Sequence, residues 1–270
     1  MFGAFLFLCY HVGVTIIPAA LFFALGTIIA SFVGVVVGRL YSGESIVRGS
    51  SRCDVCGVRL SAFSLVPIVS YIASSARARC CNARLSWRAP ASELLLGALF
   101  VLSYLHLGAT LLLAFFLLAL ALLLALVLYD LAHQILPPLL LWPFVLAAAA
   151  AGYLAAPSMG DFWYSCLVAG AFALFFAALH FCSGGRAMGL ADTPLVFGLA
   201  LLVGPAAFSG LLFSFWVGAA VGITILFMTP LGSRMGIEVP FAPFLAAGFL
   251  LAYFTQWNTL TLLASLQGLL

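Results

Sequence analysis

The chain has 270 residues, 66% of them hydrophobic and 6% charged, with a mean hydropathy of +1.28. Soluble globular domains carry about a quarter charged residues, so a water-soluble fold is excluded. The formal net charge of +3 decides little, because in a membrane protein the position of each charge carries the information.

A bilayer core about 30 Å thick is crossed by about 20 apolar residues in a helix. Within it every backbone N–H and C=O must be satisfied internally, which leaves helices or a closed barrel. The apolar runs are continuous, as in Leu111 to Leu128, rather than alternating, so the predicted fold is an all-α polytopic membrane protein. Taken in chain order, runs bounded by proline, glycine and charge predict eight transmembrane helices, at about 13–38, 91–107, 109–129, 138–156, 162–182, 193–208, 210–229 and 241–258. The first lacks a basic leader, its first arginine being Arg39, and is too long for a cleavable signal peptide, so it reads as a span. Gly198, Gly204 and Pro205 interrupt the sixth. The chain thus divides into a first transmembrane helix (1–38), a cysteine-containing loop domain (39–90) and a transmembrane domain (91–270), with no internal repeat.

All ten basic residues are arginines, and eight of them fall in the first loop: Arg39, Arg48, Arg52, Arg59, Arg77, Arg79, Arg84 and Arg88. Arg186 lies between the fifth and sixth helices and Arg234 between the seventh and eighth. Eight helices with an external N-terminus put every arginine on the cytoplasmic side, as the positive-inside rule expects.

Acidic residues are few. Asp161 falls in the predicted external loop 157–161 and reads as a solvated charge. Asp130 ends the third predicted helix and Asp192 begins the sixth, which puts both at one membrane boundary. An ionisable group at that depth is a functional candidate. Either alone also suits a structural role, Asp192 as an N-cap and Asp130 as a helix end. Two interacting carboxylates cannot both ionise easily, so one holds a proton while the other acts as a base, and such a pair can activate water. The small residues in Met188-Gly189-Leu190-Ala191 just before Asp192 allow another chain to come close. His133, three residues after Asp130, could tune it or serve as an interfacial polar group. No G-x-S-x-G or H-E-x-x-H offers a competing protease site.

Four of the seven cysteines cluster in the first loop: Cys53 and Cys56, followed by Gly57, and the adjacent Cys80 and Cys81. A Cys-x-x-Cys-Gly run is half of a structural zinc site, and a second thiolate pair would complete the tetrahedron. A set of free or redox-sensitive thiols is the other reading. Cys9, Cys166 and Cys182 read as packing or lipid-facing residues.

In order along the chain, these residues resemble the type IV prepilin peptidase family. Ala30-Ser31-Phe32-Val33-Gly34-Val35-Val36-Val37-Gly38-Arg39-Leu40 is similar to its G-S-F-L-N-V-V-I-x-R-L stretch. Cys53 and Cys56, then Pro67 and Ser70, follow its C-P-x-C and N-I-P-x-x-S pattern, and Leu85 to Glu93 resembles I-S-x-R-Y-P-x-x-E. Asp130 with Leu136-Pro137 resembles D-x-D-x-x-L-L-P-D, Met188 to Asp192 resembles G-x-G-x-G-D, and Val239 to Phe244 resembles I-P-F-G-P-F. The chain departs at Gly34, Ser64-Leu65, Ala132, Pro138 and Pro194, and Ala78 stands where the family's third cysteine would be.

The resemblance implies a bacterial inner-membrane aspartic endopeptidase with Asp130 and Asp192 as its catalytic pair. Its substrate would be a prepilin or pseudopilin of a type IV pilus or type II secretion system, cut at the cytoplasmic membrane face. Structural zinc on Cys53, Cys56, Cys80 and Cys81 is expected. S-adenosylmethionine would serve as methyl donor where N-methylation of the new N-terminus is kept. The lipid bilayer is the other partner, and no nucleic acid is expected. Two readings from other classes remain: a proton-coupled transporter, which predicts acids near mid-membrane in related halves, and a non-catalytic pilus or secretion assembly factor. A cleavage assay on a prepilin separates all three.

Overall fold

The computed structural model describes residues 2–41, 45, 53, 55–59, 61, 66–185, 188–228 and 240–256, with backbone alone for residues 2–15 and 226. Arg48, Arg52, Asp54, the Ser64-Leu65 pair, Arg186, Arg234, Glu238 and Val239 lie outside the described residues. The described chain is helical without strands, in nine helices: α1 (Phe2–Arg39), α2 (Val69–Ala73), α3 (Arg88–Leu107), α4 (Leu111–His133), α5 (Pro138–Ala155), α6 (Met159–Ser183), α7 (Asp192–Val203), α8 (Ala207–Met228) and α9 (Ala242–Thr255). All but α2 answer to a predicted span. Five residues are too few to show a hydrophobic period, which is why α2 is not legible in the sequence. Six stretches among the described residues are long and apolar enough to cross a membrane, the last being Asp192–Ile225, and Ala242–Thr255 is a shorter apolar helix. The molecule is a multi-pass, all-α membrane protein.

The chain forms two compact units, Met1–Leu113 and Ala114–Leu270. In the first, α1 and α3 pack where two glycines meet: a Cβ on Gly26 would lie 2.8 Å from the Cα of Gly97. Small residues let membrane helices approach backbone to backbone, where dispersion replaces the missing hydrophobic drive. The Phe22 and Tyr104 rings stack across the same pair of helices, 4.7 Å apart. One turn into α3, buried Glu93 accepts the Ile68 N–H at 2.8 Å and a hydrogen bond from Ser31. That contact holds Ile68 at φ 58°, a left-handed conformation costly for a β-branched residue, and so starts α2.

In the second unit α7 is the innermost helix. Eight apolar or small residues of its twelve are buried besides Asp192, as expected of a helix that is apolar all round. Gly198 does not interrupt it. A Cβ there would stand 2.7 Å from the Phe144 ring of α5, so this glycine serves packing. The break comes at Gly204, with φ +58°, and Pro205, in a single 3-10 turn spanning Gly204–Ala206.

The chain reverses at that turn. The Ala242 N–H, at the start of α9, reaches Asp130, and Asp130 in turn interacts electrostatically with Asp192 at the start of α7. The backbone that leaves at Asp192 has therefore come back to the same end by Ala242. The α8–α9 contact agrees, since Gly210 meets Phe249 while Gly218 meets Phe244 and Phe241, an antiparallel register. Phe241 packs on Phe215 of α8 and Phe176 of α6, with centroids 5.8 and 6.4 Å away, which fixes where α9 begins. Asp161 differs from the loop charge expected for it. Ser158 accepts its N–H at 3.2 Å and donates to its carboxylate at 2.7 Å, a capping pair that starts α6.

Candidate active site and thiol cluster

Asp130 sits in the last turn of α4, 6% exposed. The helix stops just beyond it because Gln134 takes φ 56° and donates its N–H to the Asp130 carbonyl at 2.8 Å. Leu136-Pro137 then leads into α5, which opens on Pro138, a residue suited to a first turn that needs no N–H. The Asp130 Oδ2 accepts the Ala242 N–H at 3.2 Å. The first N–H groups of a helix have no partner within it and carry partial positive charge. The start of α9 is therefore a natural seat for a carboxylate.

Asp192 is the first residue of α7 and 8% exposed. It is not the N-cap: Ala191 holds that position, and no side chain caps the helix. The carboxylate turns back, and its Oδ2 accepts the Gly189 N–H at 3.2 Å. What approaches Gly189 is thus Asp192's own carboxylate, which would lie 3.4 Å from a Cβ there. Each acid is held by one backbone N–H from a helix start or the turn before it, and the two feel one another's charge. Next to Asp192 in sequence, Thr193 Oγ1 is buried with no hydrogen-bond partner among the described residues. His133 is exposed and packs its ring on Tyr129, with centroids 4.4 Å apart.

The four loop thiols also come together, their sulfurs all within 4.8 Å of one another. Cys56 and Cys80 are 3.2 Å apart, Cys53 and Cys81 3.8 Å, and Cys80 and Cys81 3.9 Å. A metal about 2.3 Å from each sulfur requires tetrahedral sulfur separations of roughly 3.8 Å, so the donor set fits zinc.

Two turns of one design present these thiols. In the first, the Cys53 N–H donates to the Val58 carbonyl at 2.9 Å and the Gly57 N–H to the Cys53 carbonyl at 2.8 Å. In the second, the Ala78 N–H donates to the Ala83 carbonyl at 2.8 Å and the Asn82 N–H to the Ala78 carbonyl at 2.7 Å. Gly57 and Asn82 occupy equivalent left-handed positions, φ 70° and 56°. Cys81 therefore answers to Cys56, and Ala78, buried, answers to Cys53. Cys80 fills the missing place from within the turn.

The thiols share protons unequally. The backbone N–H groups of Cys56 and Val55 draw the Cys53 thiol down to about 6. Hydrogen bonds with Cys56 and Cys53 push Cys80 up to about 12. At Cys81 the Ala83 N–H works downward, but burial and the neighbouring Cys53 and Cys56 outweigh it and raise the thiol.

Fold and site define a polytopic helical membrane protein with a buried pair of interacting carboxylates and a four-thiol loop. Residues 24–107 match the family described as Bacterial Peptidase A24 N-terminal domain. The chain is 36% identical to the prepilin leader peptidase/N-methyltransferase of Myxococcus xanthus (strain DK1622), over 78% of this chain and 64% of that protein. It is 32% identical to the protein of the same name from Dichelobacter nodosus, over 74% and 70% of the two chains. With that of Bacillus subtilis (strain 168) it shares 28% identity over 87% and 93%. The chain belongs to the prepilin leader peptidase/N-methyltransferase family. It spans less than two thirds of the Myxococcus relative and nearly all of the Bacillus one. No solved structure matches it.

Sequence reasoning singled out both carboxylates and all four thiols. It missed the Ala242 N–H, a backbone group that carries no sequence signal. It also missed Glu93 as the anchor of α2, and His180, whose ring nitrogen lies 2.9 Å from the Met188 carbonyl.

Proposed function

We propose that the protein is an aspartic endopeptidase that removes the leader of a prepilin or pseudopilin, with Asp130 and Asp192 as its catalytic pair. The observation that carries this reading is a pair of buried carboxylates, each with a backbone N–H on one oxygen and Asp192 within electrostatic reach of Asp130. Two such acids share one proton. The ionised partner takes a proton from water as the water oxygen attacks the scissile carbonyl, and the protonated partner gives its proton to the carbonyl oxygen. Collapse of the resulting diol breaks the C–N bond. The amine leaves with one proton from the pair while the other carboxylate takes a proton from a diol hydroxyl, which returns the pair to its starting state. Thr193 Oγ1 is placed next to Asp192 in sequence and has a free hydrogen bond for that water.

Cys53, Cys56, Cys80 and Cys81 would hold a structural zinc, which cross-links the two turns of the loop and takes no part in the reaction. The relatives' name also carries N-methylation, for which S-adenosylmethionine would be the donor. The arginine distribution favours an inner-membrane orientation with the N-terminus outside and the catalytic end at the cytoplasmic face, where a leader would be cut. The division 1–38, 39–90 and 91–270 is retained as a functional one: anchor, thiol loop and peptidase domain.

Membranes containing the protein, incubated with a prepilin, should yield the shortened product. Asp130→Asn and Asp192→Asn should each lower that yield by at least about a thousandfold, or about 4 kcal/mol of transition-state stabilisation, with unchanged protein in the membrane. Undiminished processing by both variants would overturn the reading.

A further inference from the structure

His180 is absent from the reaction above, yet it holds the loop on which Asp192 depends. It lies in the last turn of α6, twelve residues before Asp192. Its Nδ1 is 2.9 Å from the Met188 carbonyl oxygen. A carbonyl oxygen only accepts, so Nδ1 carries the proton and donates. The N–H of the same peptide unit, on Gly189, is the one that reaches the Asp192 Oδ2 at 3.2 Å.

The imidazole is itself held. α6 ends in Gly184 and Gly185, at φ +60° and +78°, and the Gly185 N–H donates to the His180 carbonyl at 2.9 Å. A Cβ on Gly185 would stand 3.3 Å from the ring's Cε1, so the glycine leaves room for the imidazole. The Phe181 ring meets it edge to face, 5.3 Å away.

We propose that His180 is a positioning residue that acts on Asp192 through the Met188–Gly189 peptide. A peptide unit is planar, with its C=O and N–H pointing in opposite directions. Anchoring the carbonyl from one side therefore aims the N–H at the other. Donation to the carbonyl also polarises the unit and strengthens the hydrogen bond its N–H makes. The consequence for activity rests on the reading of Asp192 as catalytic, whereas the geometric relay stands apart from it.

The test uses the full chain in lipid nanodiscs, labelled with carbonyl-13C methionine and 15N glycine. Only Met-Gly peptides then report, namely Met159–Gly160, Met188–Gly189 and Met235–Gly236, and Met159→Leu and Met235→Leu assign them. The Gly189 amide should shift in Asp192→Asn and in His180→Leu. It should return towards its wild-type position in His180→Asn, whose side-chain amide can donate from nearly the place of Nδ1. In cleavage, His180→Leu should lower kcat about tenfold with KM nearly unchanged, and His180→Asn should recover most of the loss. A Gly189 amide that does not respond to His180→Leu overturns the relay. A loss of kcat that His180→Asn fails to rescue overturns it too, since a merely structural role would behave so. Failure of the wild-type protein to cut any prepilin would refute the catalytic reading instead, and the amide shift would still decide the relay.

Discussion

The thiol loop and the carboxylate pair are built by opposite means. The thiols lie in a loop, three of the four exposed, on two short turns whose backbone hydrogen bonds are the same. The carboxylates are buried at helix ends, where each position is set by several packed helices. A turn can supply a thiol from a neighbouring residue, as Cys80 does beside Ala78. A helix cannot, because one step along it rotates a side chain by about 100°. This accounts for how the chain changes its cysteine pattern while keeping both acids at fixed places.

The sharpest way to break the contrast is to move a carboxylate slightly. Asp192→Glu keeps the charge but lengthens the arm by one methylene, carrying the acid away from the Gly189 N–H. Misplacement by about 1 Å can cost about a hundredfold in rate, and we expect a loss of that order in prepilin cleavage with little change in thermal stability. Cleavage within threefold of wild type would show that the helical site tolerates movement as the loop does.

The next effect should come from the packing that sets the helix ends. A Cβ on Gly248 would drive into the Ser214 backbone, and Ser214 Oγ already donates to the Leu245 carbonyl of α9 at 3.3 Å. Gly248→Ala should push α9 away from α8, cost roughly 1–3 kcal/mol of stability, and shift the Ala242 N–H from Asp130. A lowered midpoint of thermal unfolding together with about tenfold slower cleavage is expected. A stable variant with normal cleavage would uncouple the α8–α9 contact from the site.

The loop should respond differently. Cobalt(II) added to apo-protein should give the charge-transfer absorption of thiolate ligands, and Cys56→Ser should weaken it strongly while cleavage falls only a few-fold. Thiols bind metal as thiolates. Near neutral pH the Cys80 and Cys81 thiols, both raised, still hold their protons, so loading should release at least these two. Metal affinity should therefore climb as pH rises above the Cys53 value of about 6 and fall as pH drops through it. Affinity independent of pH between 6 and 8 would refute thiolate coordination.

Much of this was legible in one dimension. Apolar runs of about 20 residues mark the spans, the scarcity of acids draws attention to Asp130 and Asp192, and Cys-x-x-Cys-Gly marks the first turn. The capping pair Ser158 and Asp161 was also there to be read, as a serine three residues before an acid at the head of an apolar run. What stayed hidden depends on which helix ends meet. Ala242 and Asp130 are 112 residues apart and joined through a backbone N–H, so no residue type advertises the contact. Gly198 looked like a breaker because glycine has low helix propensity, and only the Phe144 ring beside it explains its presence. Hydropathy records how apolar each helix is, not how much of it is buried or against what.

The smallest expected effect is the most discriminating test of the loop. If the second turn has the geometry of the first, a thiol placed at position 78 can stand in for the one at position 80. Cys80→Ala alone leaves three thiols and should weaken cobalt(II) binding strongly. Adding Ala78→Cys should restore it, because Ala78 already occupies the place that Cys53 holds in the first turn, with the same pair of backbone hydrogen bonds around it. The new side chain adds only one sulfur to a buried methyl, a modest demand on packing. We expect the double variant to bind cobalt(II) within a few-fold of wild type and to cut prepilin at the wild-type rate. Binding no tighter than that of Cys80→Ala alone would mean that the loop has reshaped itself around Cys80 and that its two turns are alike in backbone only.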